Sequence, residues 1–558
     1  MRNLAAFIVA AAAWCPTGAS ALTIEAEQAR IKTVGIGIPG GWNLFSNGHL
    51  GDSLRFAQPG TYEITVRARG SPLGGVWPAM ALLVDGQQKK LVTVDRKEDA
   101  DYSFQAELSA GVHGVAVAFT NDAFAGGEDR NPYLDRIEVR PPQGAPEPVL
   151  VTAEEMAMEG ERQEEAALTQ AQADIERNRK GEATLRVLGA DGKPAAGASV
   201  AIEQTQHDFL FGCNIYMFDR LDTPEKNEAY KKRFAELFNY ATTGFYWRGY
   251  EQEQGKPHYA HTDKVVAWCA DHGLRLKGHP LLWDHEAGIP AWSKGQPTPE
   301  IQKRRVADIL RRYSGKIEFW EVVNEPAHVR GVVIDEPYRW AREADPKAYL
   351  IVNDYHVMAD GFPPFLKLLE DAKRNGVPFD GIGIQAHEPR TTRFPLERVR
   401  DFLSQYATLG KGLHITEFTP CSSGEPIAGS HRTGQWDEAA QADYAEKFYR
   451  VCFAHPAAVG ITWWDLCDTG SWLKGGGMLR ADLSPKPVYA ALRKLIHEEW
   501  HTRVEGKTDG AGRLSFRGFF GQYQATASWQ GRSASGKLHL AKGAQADLTL
   551  TLAEPPGR

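Results

Sequence analysis

The 558-residue sequence predicts a multidomain chain built around an α/β (β/α)8 TIM barrel, with an N-terminal β-sandwich module and a small β-rich domain flanking the barrel. Three observations predict this. Eight short apolar runs alternate with helical stretches across residues 207–500, which is the size and order of an eight-stranded barrel. Nearly every run ends in polar or aromatic residues, a feature that a doubly wound sheet would not require. On both sides of that segment the pattern becomes period-two alternation punctuated by Gly, Pro, Asn and Asp, the signal of strands and turns.

The first 21 residues read as an export signal: Arg2 supplies the positive start, Leu4 to Trp14 the apolar stretch, and Ala19-Ser20-Ala21 the small-residue cleavage site. A secreted protein, extracellular or periplasmic, is expected. The apolar run is too short to span a bilayer and no later stretch reaches about 18 apolar residues, so no membrane partner is expected. The residues before Cys15 do not form a good lipobox. Cys213, Cys269, Cys421, Cys452 and Cys467 remain, an odd number, and no disulfide is assigned.

Residues 22–142 alternate as strands do, most clearly from Tyr62 to Arg69 and more weakly from Val115 to Phe119. Several such strands suggest a β-sandwich. Residues 143–181 form a linker and helix: a Pro-rich stretch from Pro141 to Pro148, then the capping box Thr152-Ala-Glu-Glu155 opening a helix to about Arg179. Residues 182–206 and 505–555 both return to strand-like alternation, with Asp191-Gly192 and Asp509-Gly510 as turns. The two pieces are expected to fold together as one small sandwich. Between them, the barrel strands are expected at Phe209–Ile215, Ala241–Trp247, Arg275–Trp283, Glu318–Asn324, Tyr349–Asn353, Gly381–Gln385, Gly412–Thr416 and Gly460–Asp465.

Composition is that of an ordinary globular protein, 42% apolar and 24% charged, with a net charge of −7 and no Lys/Arg block. A nucleic-acid partner, which would require a basic patch, is excluded. Fifteen Trp and eighteen Tyr can pack cores or stack on the apolar faces of sugars, and composition alone does not separate the two uses.

The strongest chemical signal is a carboxylate pair. Glu325 ends the fourth run and Glu417 the seventh. In a closed eight-stranded barrel the ends of strands four and seven face one another across the mouth, so the two carboxyls can meet over one bond. Glycoside cleavage needs two such groups, one to protonate the leaving oxygen and one to attack the anomeric carbon or activate water. A single strand-end Glu is usually just solvated or caps a helix, and Pro326 does suit a helix start. Two at complementary ends point to catalysis.

Trp320–Glu325 and Leu413–Glu417, with Gly278–Trp283, Gly381–His387 and Trp464–Trp472, together resemble the family 10 glycoside hydrolases, most of them endo-β-1,4-xylanases. The resemblance covers about 207–500. It implies retaining, double-displacement cleavage of internal β-1,4 linkages of xylan, with Glu325 as general acid/base and Glu417 as nucleophile. It also implies that Asn324 binds the sugar 2-hydroxyl, that His279, Trp283, Gln385, His387, Trp464 and Trp472 shape the glycone pocket, and that Tyr355 stacks on the leaving-side sugar. Gln385 and His387 are expected to keep Glu417 ionised by donating hydrogen bonds, while a Trp-walled pocket raises the Glu325 pKa. One departure stands out. Gly244 and Phe245 occupy positions where family members usually carry Glu-Asn, and Arg248 replaces a Lys, so recognition of the neighbouring sugar is expected to differ, with Arg248 as the substitute contact.

In the N-terminal module, Gly74–Met80, Phe119–Asp122 and Glu128–Asp135 resemble calcium-dependent carbohydrate-binding modules of families 36 and 60. This implies Ca2+ held by Asp122, Asp129 and Asn131, oxygen ligands that suit a hard cation, with Glu25 or Glu27 and Asp135 as a second, structural site. Catalysis is expected to need no cofactor. The expected partner is xylan or a related plant cell-wall polysaccharide, met by a monomer. The alternatives are a relative acting on decorated xylan or another β-glycan and, from a different class, a catalytically inactive carbohydrate-binding protein.

Overall fold

The computed structural model describes residues 21–125, 128–328, 333–387 and 390–552. The export signal expected over 1–21 therefore lies outside the described residues apart from its last position. The chain divides into two compact units, the first ending at Glu159 and the second running from Gly160 onward.

The second unit is organised by a closed barrel of eight parallel strands: β1 Leu210–Asn214, β2 Tyr240–Gly244, β3 Arg275–His279, β4 Phe319–Asn324, β5 Tyr349–Asp354, β6 Gly381–Ala386, β7 Gly412–Phe418 and β8 Ala458–Trp463. Each strand is almost wholly buried, as expected where helices cover one face and barrel-filling side chains the other. The helices outside are made by amphipathic sequence. Pro299–Tyr313 opens with a proline in its first turn, where a missing N–H costs nothing, and buries Val306, Ile309, Leu310 and Tyr313 along one stripe. Asp437 caps Glu438–Ala454 by accepting from Ala440 N–H at 2.8 Å.

Register irregularities occur in β4 between Glu321 and Asn324, in β6 between Ile384 and Gln385, and in β7 toward Phe418. They set Gln385 directly beside Glu417 and Asn324 beside Asn353. Such breaks re-aim side chains at strand ends. Gly383 makes room for this, since a Cβ there would lie 2.7 Å from Asn353 Oδ1.

The flanking strands form one small sandwich from both ends of the barrel segment. Lys180–Leu188 lies between Arg513–Phe519 and Ala546–Thr551 in a three-stranded sheet. Ser199–His207 lies between Arg503–Lys507 and Gly521–Trp529 in a four-stranded one, with Arg532–Leu540 beyond. A ring cluster joins it to the barrel: Phe453 stacks on Trp500 at 4.2 Å and packs on Phe519 at 6.0 Å. The helix Ala153–Arg179 begins with its capping box formed, Glu155 N–H donating to Thr152 Oγ1 at 3.1 Å and Thr152 N–H to Glu155 Oε2 at 2.9 Å. Farther along, Glu164 accepts from Arg432 at 2.8 Å and Lys447 at 2.5 Å.

The first unit is a β-sandwich of two sheets. One is built on Gly60–Ser71 and Asn131–Arg140, the other on Gly48–Phe56 and Gly111–Phe119. Tyr62, Ile64, Val66 and Ala68 point into its core and their neighbours outward. Val149–Leu150 adds a strand to Gly48–Phe56, so the sandwich reaches past residue 142 and past the Pro-rich stretch. The five cysteines from Cys213 to Cys467 are buried free thiols. No described helix is long and apolar enough to cross a membrane.

Candidate active site

The mouth of the barrel at the C-terminal strand ends gathers most of the residues singled out in the sequence. Glu325 follows β4 directly and has φ of 53°, left-handed backbone that a non-glycine residue adopts only at a cost. Its N–H donates to Asn353 O at 2.9 Å, which helps hold that conformation. The carboxyl accepts from Gln385 Nε2 at 2.9 Å and from Trp283 Nε1 at 3.1 Å. Burial pushes its pKa up and the nearby Asp354 adds to this, against the two donors.

Glu417 lies within β7 and is buried. Its near neighbours are Asn353 Nδ2, which donates at 3.4 Å, His387 Nε2 at 3.6 Å and His279 Nε2 at 3.9 Å. Burial raises its pKa well above the carboxylate range, and the charges of Glu321 and Glu325 add to the rise.

The two imidazoles give Glu417 less than the sequence suggested. Burial drives His387 down to about 3, so the ring is neutral. Its Nε2 faces Gln385 Oε1 at 2.9 Å and must carry the proton, leaving Nδ1 bare and with no partner among the described residues. Gln385, accepting there, turns its amide to Glu325. His279 is also lowered, by burial. Its Nδ1 bonds Glu321, so the proton sits there, and its Nε2 accepts from the Tyr246 hydroxyl at 3.2 Å. The expectation that Gln385 and His387 keep Glu417 ionised is therefore corrected: Gln385 serves Glu325, and His387 is committed to Gln385.

Beneath Glu417 lies a charged layer that the sequence reading missed. Lys277 and His279, two apart on β3, both bond Glu321 on β4, and all three are buried. Burial works to raise the Glu321 carboxyl, but Lys277 and His279 outweigh it and hold it at about 2. The available signal was a Lys and a His at period two in one apolar strand, with a Glu in the next.

The remaining candidates fall around this centre. Asn324 accepts from Asn353 Nδ2 at 3.0 Å. Trp464 is buried and packs edge-on against His279 at 5.3 Å. Trp472 stands 55% exposed beside His387, ring centroids 4.9 Å apart, with the Arg390 guanidinium over its ring at 4.6 Å. Trp283 stacks on His285 at 4.0 Å. Tyr355 stacks on His328 at 3.5 Å, and His328 in turn bonds the buried Asp354 at 2.6 Å. His328 and Asp354 were not anticipated as site residues.

Arg248 is not turned into the mouth. It is exposed and its Nε donates to Glu286 O at 2.7 Å, with Nη2 3.7 Å from the Glu286 carboxyl. Phe245 does not line the mouth either; it is fully buried among Tyr250, Trp320 and Tyr313 at 5.0–5.6 Å. An aromatic side chain directly after β2 finds more apolar area to bury outside the strand than at the wet rim.

In the N-terminal module, Asn131 Nδ2 donates to Asp129 Oδ2 at 2.9 Å, and Asn131 Oδ1 is buried with no partner among the described residues. An orphaned amide oxygen beside a carboxylate is the donor set a Ca2+ ion would complete, so these two fit the ion. Asp122 is on the exposed start of the same loop, its N–H donating to Asn47 Oδ1 at 2.9 Å. The second calcium site does not fit: Asp135 is taken by Arg136 at 2.7 Å and Arg67 at 3.4 Å.

Residues 203–495 match the family model described as glycosyl hydrolase family 10. The chain belongs to that family. Residues 63–153 match a Ca-dependent, xylan-binding carbohydrate-binding module, family 60 of the two resembled. Endo-1,4-beta-xylanase 2 of Arabidopsis thaliana is 29% identical over 372 residues, 63% of this family 10 chain and 32% of its own length. The chain thus spans about a third of that relative. Endo-1,4-beta-xylanase B of Thermotoga neapolitana is 28% identical over 306 residues, 50% of this chain and 86% of its own. The crystal structure of xylanase 10B from Thermotoga petrophila RKU-1 in complex with xylobiose is 24% identical, with a TM-score of 0.45, covering 52% of this chain and 95% of that one.

Proposed function

We propose that this chain is a secreted, retaining endo-β-1,4-xylanase whose N-terminal module holds it on the polysaccharide. The observation that carries the reading is the pair Glu325 and Glu417 at the barrel mouth, Glu417 buried and Glu325 half-buried, with Gln385 on the acid and His387 Nε2 3.6 Å from Glu417. Family membership and the xylanase names of its relatives support the substrate. Export rests on the character of residues 1–21.

In the reaction, the Glu417 carboxylate attacks the anomeric carbon while the Glu325 carboxyl gives its proton to the departing glycosidic oxygen. Glu325, now a carboxylate, then takes a proton from the water that cleaves the Glu417 ester, and the product keeps its β configuration. Substrate favours these states: the glycosidic oxygen accepts from protonated Glu325, and positive charge developing on the sugar favours an ionised Glu417.

Proton NMR of the first products from linear xylan tests the reading. The β anomer should appear first and mutarotate later, and Glu417→Ala should give no turnover. Initial release of the α anomer, or turnover surviving in that variant, would reject the assignment.

A further inference from the structure

Asn214 closes β1, and Asp465 stands two residues beyond β8, its neighbour in the barrel. Both are buried, and the mechanism uses neither. Asn214 Nδ2 donates to Asp465 Oδ1 at 3.0 Å, while Asp465 Oδ2 accepts from the Trp472 N–H at 2.9 Å. The Ser471 hydroxyl, given to Leu473 O at 2.8 Å, lies 3.4 Å from that same oxygen. A carboxylate only accepts, so its two oxygens are committed to donors from two different segments. Asp465 also has φ of 68°, the left-handed backbone that glycine adopts at no cost. The position keeps a side chain where glycine would be easier.

The loop after β8 shows what that side chain does. The base of the loop is tied several times: Asp468 N–H donates to Leu479 O at 2.9 Å, and the Asp468 carboxylate accepts from Gly477 N–H at 3.0 Å and Lys486 Nζ at 2.8 Å. Trp472, farther out, makes one hydrogen bond among the described residues, the backbone bond to Asp465. Its ring is mostly exposed, yet it is centred 4.9 Å from the ring of His387, whose Nε2 is 3.6 Å from Glu417. A large exposed ring loses freedom only where its backbone is held. Here the tie runs through Asp465 to the buried end of β1.

We propose that Asp465 is a positioning residue for the reaction: joined to Asn214, it fixes Trp472 as the wall against which the sugar beside Glu417 packs. This rests on the proposed xylanase reading and deepens it, since Asp465 touches no substrate and acts through Trp472 alone.

An exchange of partners decides it. In Asp465→Asn an amide offers one acceptor where the carboxylate offered two, so either Asn214 Nδ2 or the Trp472 N–H meets an NH2 group. On linear xylo-oligosaccharides kcat/KM should fall about tenfold, the worth of a good ring contact. In a Trp472→Ala background the same change should cost less than about twofold. Asn214→Asp combined with Asp465→Asn swaps donor and acceptor, leaves an oxygen for the Trp472 N–H, and should restore kcat/KM to near wild type. Equal losses with and without Trp472, or a loss that the exchange does not relieve, would overturn the proposal. If the wild type hydrolyses no oligosaccharide, the xylanase reading fails by itself. Fluorine NMR of protein labelled with 5-fluorotryptophan then judges Asp465 alone. The Trp472 signal, identified by its loss in Trp472→Ala, should shift or broaden in Asp465→Asn and return in the exchanged pair. A signal that Asp465→Asn leaves unmoved, or that the exchange does not return, overturns the assignment.

Discussion

Gln385 donates to Glu325 at 2.9 Å and, through its other amide atom, accepts from His387 at the same distance. One amide therefore sets both the acid's environment and the tautomer of the imidazole next to Glu417. Removing it with Gln385→Ala leaves burial to push the Glu325 pKa higher against Trp283 and Asn324 alone. The limb of the kcat/KM profile that falls with rising pH reports that acid, so it should move to higher pH. Activity at the optimum should drop about tenfold or more. An alkaline limb that stays in place would show that the amide does not tune Glu325.

The division of labour between the carboxyls predicts different substrate dependence. Glu325→Ala should slow substrates with poor leaving groups far more than activated aryl glycosides, because only the former need a proton on the departing oxygen. Steady-state rates on both substrate types provide the check. Equal losses on both would reassign the acid.

The layer beneath Glu417 should be felt in stability. Glu321→Gln leaves Lys277 buried without its partner, a change worth about 3–5 kcal/mol. Replacing both, as Lys277→Met with Glu321→Leu, should recover much of the loss. Because Glu321 is held at about 2 in the fold, its contribution is present above its ordinary value near 4.5 and drains away as pH falls toward 2. Urea midpoints between pH 5 and pH 2 should fall more steeply for wild type than for the double variant. Parallel slopes would remove Glu321 from the acid-sensitive set.

Calcium should matter to binding and not to chemistry. Thorough chelation, or Asn131→Ala, should release the full-length protein from insoluble xylan while leaving kcat on a small soluble substrate unchanged. Retention on xylan without calcium would exclude the Asp129–Asn131 site.

The barrel was legible in the sequence because strand-end residues such as Glu325 and Glu417 follow short apolar runs, and both were recognisable before the fold was known. Partnerships were not. Glu321 looks like one more strand residue until Lys277 comes across from β3, and Gln385 looks like a donor to Glu417, its register neighbour, until its tautomeric contact with His387 turns it away. Arg248 read as a substitute for a missing Lys, but a three-residue 3-10 turn at Glu286–Gly288 supplies it with a nearer acceptor. Sequence spacing reports which side chains reach one end of the barrel. It does not report which of several polar neighbours each one chooses.

The small sandwich has a consequence for how the chain comes into being. Ala183 pairs with Ala546 and Ser199 with Lys507, positions more than 300 residues apart. Two strands are thus synthesised first and must wait, with unpaired edges, until residues 503–551 leave the ribosome. Contacts of such separation are slow to form, and waiting strand edges are prone to aggregate. The sandwich closes over a barrel that has already been made, like a clasp fastened after the chain inside it, and the yield of folded protein should depend on how soon residues 503–551 follow the barrel.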